Sequence, residues 1–427
     1  MRLKNLHPAE QLTHIMDRVY RQGLTTASGG NISILDDNGD IWITPKATDK
    51  GEMKASQIVC VHPDGSFDGD LEPSSELPFH TAAYRVRKDI RAVLHAHADY
   101  CVAFSLTRTL PRIDLLDETR RRCERMSLSA YAMTGSDELG ENISKEFAKG
   151  SDVVFLENHG VCVGGGDLTE AFVRFEVVEY AARLQALAMK LGRLHTLMNV
   201  QTDAPDDVGG WRELPQAEPF AEEVAARCEL VKMVRRAYRR ELFFATLGAA
   251  SVRLSDGSFL VSPADRDCME LEGDDFVRVV GGAAERGKTP NLYARLHQSI
   301  YAAHGEANAI LTAQPPYSTA FSVTDAQFLT CTIPESFYML RDIPRAPLAD
   351  MTRRTDRAAA LFSSRTPVVL FENGGVTATG KTLFQAFDRL EVAEATAQSI
   401  VSARGIGSIV FLSEREIADI KMKFNLE

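Results

Sequence analysis

The chain has 427 residues, 44% of them hydrophobic and 25% charged, with a formal net charge of −11; this is the balance of an ordinary soluble globular protein with room for two or three domains. No segment approaches the roughly 18 consecutive apolar residues of a membrane span, and the acidic excess disfavours nucleic acid or anionic membrane as a main partner. Seven cysteines lie scattered without a CxxC pair, which argues against a disulfide framework or a cysteine-built zinc site.

In chain order, MRLKNLHPAEQLTHIMDRVY reads as a short polar lead into an amphipathic helix, without the apolar run and cleavage site of a signal peptide, so a cytoplasmic location is expected. A β-hairpin follows, turned at Asp37-Asn38-Gly39, then a helix, then apolar strands containing VLHAHA and VVFLENHG. Gly164-Gly165-Gly166 lacks the order of a dinucleotide-binding loop and is expected to be a turn. A closing helix starts at Asp167-x-x-Glu170, legible as a capping box, and stops near Gly192. The Pro-, Gly- and Asp-rich stretch 201–222 is expected to be a linker between domains at 1–200 and 223–427.

Beyond the linker the same succession returns. LTHIMDRVYR from Leu12 matches LVKMVRRAYR from Leu230, and GNISILDDNGDIWITP from Gly30 matches GAASVRLSDGSFLVSP from Gly248. The stretch from Phe79 to Ser105 pairs without gaps with the stretch from Leu296, and FLENHGVCVGGGDLTEAF pairs with LFENGGVTATGKTLFQAF. Four blocks at nearly constant separation define two homologous copies, each mixing helix and sheet.

The repeat serves as an internal control, because residues that the fold requires tend to persist in both copies. Leu12, Tyr20, Pro45, Pro73, Tyr84, Tyr100, Phe172 and Glu176 recur as Leu230, Tyr238, Pro263, Pro290, Tyr301, Tyr317, Phe387 and Glu391, and are read as architecture. His95, His97 and His159 become Thr312, Gln314 and Gly374, while Glu76 becomes Tyr293 and Asn31 becomes Ala249. Their joint loss is simple if they serve one site. His95 and His97 stand two apart on a strand and so project from one face. Three imidazoles with an exchangeable fourth position form the arrangement of a catalytic zinc.

At these residues the first copy resembles the class II aldolase/adducin family, through GGNIS, PSSE, HAHADY and ENHGV. The second copy resembles a degenerate version of the same domain. The resemblance implies a three-layer α/β/α sandwich around a mainly antiparallel central sheet, zinc (Zn2+) held by His95, His97 and His159, and Glu76 as general acid/base. It places Asn31, Ser74 and Ser75 at a substrate phosphate. The implied chemistry is carbon–carbon lyase action of aldolase type, in carbohydrate metabolism, on a small hydroxy-carbonyl substrate, phosphorylated or not, through a metal-stabilised enediolate. A keto-acid decarboxylase or a sugar-phosphate epimerase fits the same site, and an adducin-like scaffold without catalysis is the remaining alternative. A homo-oligomer is implied too, as a tetramer or as a dimer forming a pseudo-fourfold ring.

Two departures stand out. Where sugar-phosphate members read SPSG or TPTG this chain reads Thr44-Pro45-Lys46-Ala47, making Lys46 a candidate anion ligand. LPRIDLLDETRRR brings Leu115 or Leu116 to the place of a tyrosine that fuculose-phosphate aldolases use as a proton donor. Tyr131, in SAYAMTGSDEL, is expected to pack in the fold.

Overall fold

The computed structural model describes residues 2–197, 210–215 and 218–426. It divides into two compact units, Met1–Ile113 with Glu118–Arg183, and Asp114–Asp117 with Leu184–Glu427. Among the described residues no helix is long and apolar enough to cross a membrane.

The first unit is built on eight strands: β1 (Asn31–Leu35), β2 (Ile41–Ile43), β3 (Val59–Val61), β4 (Phe67–Asp68), β5 (Ala92–Ala96), β6 (Met126–Ser129), β7 (Val153–Leu156) and β8 (Gly160–Gly165). They lie in the order β4-β3-β2-β1-β5-β8-β7-β6. Each pair is antiparallel except β6 with β7. The sheet is thus mainly antiparallel, as expected, with one parallel edge.

Helices cover both faces. On one, α2 (Leu77–Val86) and α4 (Asp137–Ala148) bring Phe79, Ala83, Leu139, Ile143 and Phe147 against Ile43, Val59, Val93 and Val154; burying each large apolar side chain is worth about 1.5–3 kcal/mol. The other face carries α1 (Pro8–Arg21), α3 (Asp99–Thr107) and α5 (Leu168–Met189). There the Arg18 guanidinium stacks 4.3 Å from the Phe172 ring centroid and lies 3.8 Å from Glu176. Glu179 accepts the amide hydrogens of Tyr100 and Cys101 at 3.1 and 2.8 Å, satisfying free donors at the start of α3. That helix begins two residues after His97, so its cap also anchors the histidine strand's exit.

The second unit has nine strands: β9 (Arg212–Leu214), β10 (Ala249–Arg253), β11 (Phe259–Val261), β12 (Val277–Val280), β13 (Ala283–Glu285), β14 (Ala309–Ala313), β15 (Arg345–Ala346), β16 (Val368–Phe371) and β17 (Gly375–Gly380). Their order is β15-β16-β17-β14-β10-β11-β12-β13-β9. Its register repeats that of the first unit residue for residue. Asn31 faces His95 as Ala249 faces Thr312, and Ser33 faces Ile43 as Ser251 faces Val261. Pro45 bridges Pro73 as Pro263 bridges Pro290. Arg236 stacks on Phe387 at 4.4 Å, and Glu394 caps the amides of Tyr317 and Ser318, both at 2.8 Å. The arginine-on-phenylalanine stack and the glutamate cap thus recur in both copies, whereas Glu391, the counterpart of Glu176, bonds Arg240 instead.

Several local expectations are refined. Residues 201–209 and 216–217 of the stretch read as a linker lie outside the described residues, while Arg212–Leu214 forms the edge strand β9, parallel to β13. The predicted capping box forms its forward bond, from Glu170 N to Asp167, and the matching residues of the second copy do the same, from Gln385 N to Thr382. Their return bonds reach one residue further back, to the amides of Gly166 and Lys381. Gly164 and Gly165 are not a turn but the end of β8, where a Cβ on Gly165 would lie 2.5 Å from the Ala171 nitrogen. Tyr131 does not pack: its ring is exposed.

Candidate active site

His95, fully buried, is the penultimate residue of β5, His97 follows just beyond the strand, and His159 sits in the tight connection from β7 to β8. That connection turns through Asn158 at φ 56, in the left-handed region that asparagine tolerates. The three ring centroids stand 4.8–5.0 Å apart, and one ligand nitrogen from each lies within 4.8 Å of the others. His95 Nδ1 donates to the Val161 carbonyl at 3.0 Å, which leaves its Nε2 as the lone-pair nitrogen, 3.1 Å from His97 Nε2. Burial lowers the pKa of each imidazole; His95 is held down further by His159 and His97, and on His159 the Glu76 carboxylate only partly opposes burial. The rings are therefore neutral near pH 7, the form that binds a metal.

Glu76 closes the cluster from the residue preceding α2. Its Oε2 lies 3.4 Å from His95 Nε2 and its Oε1 3.7 Å from His159 Nε2. Oε1 is buried without a hydrogen-bond partner. A buried, unpaired carboxylate oxygen is costly, and beside three lone-pair nitrogens it fits a divalent cation. His95, His97 and His159 would hold that cation, with Glu76 at its side.

The other predicted residues are placed as follows. Asn31 is buried and its Nδ2 donates to Glu76 Oε2 at 2.7 Å. Ser74 is buried and its Oγ accepts the Glu76 amide at 3.3 Å, while Ser75 is exposed. Lys46 is exposed and pairs with Glu72 at 3.4 Å. Ala47 has φ 51 and its counterpart Asp265 has φ 49, so both copies keep the left-handed turn for which the family pattern supplies glycine.

Two residues escaped the sequence reading. Lys50 is buried, donates to the Pro45 carbonyl at 3.2 Å, and burial lowers its pKa to about 8. His80 is fully buried and donates from Nε2 to Asn31 Oδ1 at 2.6 Å. The signal for Lys50 was its loss in the second copy, where Cys268 stands at the matching place.

The second unit closes the equivalent space with its own side chains. Gln314 Nε2 donates to the Tyr293 hydroxyl at 2.8 Å and to the Gly374 carbonyl at 3.0 Å, and Thr312 bonds Thr377 at 2.8 Å. A Cβ on Gly374 would meet Met351 Sδ at 2.7 Å, Phe371 Cβ at 3.0 Å and Leu348 Cδ1 at 3.1 Å. Among the described residues one other ligand-like group exists, Asp40, Cys60 and His62, but the two ring nitrogens of His62 are bonded to Asp40 and Asp68 at 3.0 and 3.1 Å.

The tandem arrangement of two mainly antiparallel α/β/α domains, the first carrying the three-histidine, one-glutamate cluster and the second lacking it, agrees with a family match that falls on the chain twice. The class II aldolase and adducin N-terminal domain matches residues 10–186 and again residues 228–401. The chain belongs to that family, in tandem. An L-fuculose phosphate aldolase of Methanococcus maripaludis is 35% identical over 193 residues, covering 44% of this chain and 99% of that protein. A 5-deoxy-D-ribulose 1-phosphate aldolase of Bacillus thuringiensis serovar kurstaki is 30% identical over 189 residues, 43% of this chain and 86% of the relative. A 3-oxo-tetronate 4-phosphate decarboxylase of Haemophilus influenzae is 27% identical over 186 residues, 43% and 88%.

Proposed function

We propose that this chain is a zinc-dependent carbon–carbon lyase whose first unit cleaves a small phosphorylated hydroxy-carbonyl compound. The observation that carries the reading is the convergence of His95, His97 and His159 on Glu76, whose Oε1 is buried and unpaired. Relatives named as sugar-phosphate aldolases and as a phosphorylated keto-acid decarboxylase support the class.

When bound, the ion supplies Lewis acidity toward a substrate carbonyl. The protein does the rest. In cleavage the Glu76 carboxylate takes up, at Oε1, the proton that the substrate hydroxyl releases on becoming the carbonyl of the departing fragment, and delivers it to the carbon left with the electron pair; in the reverse direction it takes that proton back from carbon. Asn31 keeps Oε2 occupied, so that Oε1 is the oxygen facing the reaction. The Val161 carbonyl fixes the His95 tautomer. Lys46, Ser74, Ser75 and the second Nδ2 hydrogen of Asn31 are the candidate anion ligands, Lys46 standing next to the left-handed turn at Ala47.

A homo-oligomer in the cytoplasm completes the proposal, motivated by the retained architecture of a copy without ligands. The test is metal analysis of the purified chain together with turnover of L-fuculose 1-phosphate, 5-deoxy-D-ribulose 1-phosphate and 3-oxo-tetronate 4-phosphate. One zinc per chain with an aldehyde fragment or released carbon dioxide supports the lyase. An isomeric product shows an epimerase, and a metal-free, inert chain shows a scaffold.

A further inference from the structure

His80 stands at the centre of a buried hydrogen-bond chain that ends on Glu76. The Tyr84 hydroxyl lies 2.6 Å from Ser33 Oγ, Ser33 Oγ lies 2.7 Å from His80 Nδ1, His80 Nε2 lies 2.6 Å from Asn31 Oδ1, and Asn31 Nδ2 lies 2.7 Å from Glu76 Oε2. Its direction is forced from the Glu76 end. A carboxylate only accepts, so Asn31 presents Nδ2 to it and Oδ1 to His80. Oδ1 only accepts, so His80 carries its proton on Nε2. Burial pushes the His80 pKa down to about 3, so the ring is neutral and Nδ1 is an acceptor. Ser33 therefore donates to His80 and accepts from Tyr84. Four donors point one way, toward the carboxylate.

The second unit separates this device from the fold. It keeps Tyr301, Ser251 and His297 at 2.7 and 2.8 Å. There His297 Nε2 meets Thr312 Oγ1 at 2.9 Å, and no asparagine or carboxylate follows, since Ala249 and Tyr293 stand in their places. Hydroxyl-only neighbours leave the direction of that chain unset.

We propose that His80 and Asn31 are positioning residues of the first unit: His80 locks the Asn31 amide, and the amide holds Glu76 with Oε2 engaged and Oε1 turned to the reacting atoms. The inference rests on the lyase reading for its kinetic arm only.

The experiment compares His80→Phe, His80→Gln and His297→Phe in the full chain. His80→Phe and His297→Phe remove the same pair of buried bonds from equivalent places, so they control each other for stability. The expected result is that His80→Phe retains about the wild-type zinc content and lowers kcat on L-fuculose 1-phosphate, or on whichever of the other two phosphates the chain cleaves, by about 10²-fold, the scale of a displaced catalytic group. KM stays near the wild-type value. His297→Phe leaves kcat unchanged, and His80→Gln, which can donate to Asn31 and accept from Ser33, recovers most of the loss. Equal kcat losses in His80→Phe and His297→Phe, or no loss in either, overturn the proposal. A substrate-free arm uses the chain labelled with 15N-histidine. His80 is expected as the neutral Nε2–H tautomer, and Asn31→Ala shifts that Nε2–H resonance while leaving the His297 resonance in place. An Nδ1–H tautomer, or a resonance indifferent to Asn31→Ala, overturns the proposal even if the chain cleaves none of the three phosphates; that inertness alone would count against the lyase reading.

Discussion

Gly160 lies so close to His97 that a methyl group on it would stand 3.0 Å from the His97 Cδ2 carbon and 2.7 Å from the Ala96 carbonyl oxygen. Gly160→Ala must therefore move the ring or the strand behind it. The expected outcome is a 10–100-fold weaker hold on zinc, the usual cost of disturbing a ligand's support, with every ligand still present. Competition against a chromophoric chelator measures it, and unaltered affinity would show that the loop relaxes freely.

His95→Thr converts the first site toward the second, where Thr312 occupies the matching position in the same register. Zinc content should fall from about one per chain to none, and turnover with it. The far-ultraviolet circular dichroism spectrum should not change, because the second sheet already carries threonine there. Retained stoichiometric zinc would remove His95 from the site.

Glu76→Gln keeps the side-chain shape and takes away the proton carrier. Zinc content should persist while kcat drops by about 10²–10⁴-fold, the usual contribution of a positioned acid/base, and KM should change little. Steady-state kinetics beside metal analysis gives the answer, and a large rise in KM at constant kcat would instead make Glu76 a binding residue.

Ala47 sits at φ 51, where a Cβ costs about 1–2 kcal/mol. Glycine regains part of that cost and spends part on unfolded-chain entropy. Ala47→Gly should therefore be neutral or stabilising by up to about 1 kcal/mol in urea unfolding, whereas Ala47→Val, branched at a left-handed position, should destabilise by more than about 1 kcal/mol. Equal effects from both would place the loop in a different conformation.

His297 is buried and its pKa is pushed down to about 3 from the ordinary 6.5. The unfolded chain thus binds the proton more readily than the folded one, and the stability due to a neutral His297 is complete above pH 6.5 and lost as pH falls toward 3. The loss can reach about 4 kcal/mol at the acid end. His297→Gln should shift the midpoint of acid unfolding to lower pH, as followed by fluorescence of the chain's tryptophans. A midpoint that rises or stays would mean that His297 is protonated in the folded state.

The copy-to-copy comparison made the duplication and the candidate site legible, because His95, His97, His159 and Glu76 change together while the prolines and aromatics around them do not. The same comparison hid His80. Its counterpart His297 persists, so nothing in that comparison singles the residue out, and the role proposed for it depends on Asn31, one strand away. Glu179 was illegible for another reason: it caps backbone amides, and an amide leaves no mark in sequence spacing. Gly164-Gly165 was misread because glycine marks both turns and close helix–strand approach, and only the position of Ala171 distinguishes them. Lys46 was singled out as the departure in its loop, yet its ammonium pairs with Glu72 at the surface, while Lys50 is the buried lysine that bonds the Pro45 carbonyl.

The crowding around Gly374 acts as a ratchet on descent. Met351, Phe371 and Leu348 occupy the room that a side chain at Gly374 would need, so a point change to histidine meets filled space before it meets a metal. Unequal recombination between the two halves of the gene would have the same fate: grafting the ENHG segment onto the second half carries a ligand into a space without volume for it. The two halves, alike in register at every strand near the site, are therefore not exchangeable parts.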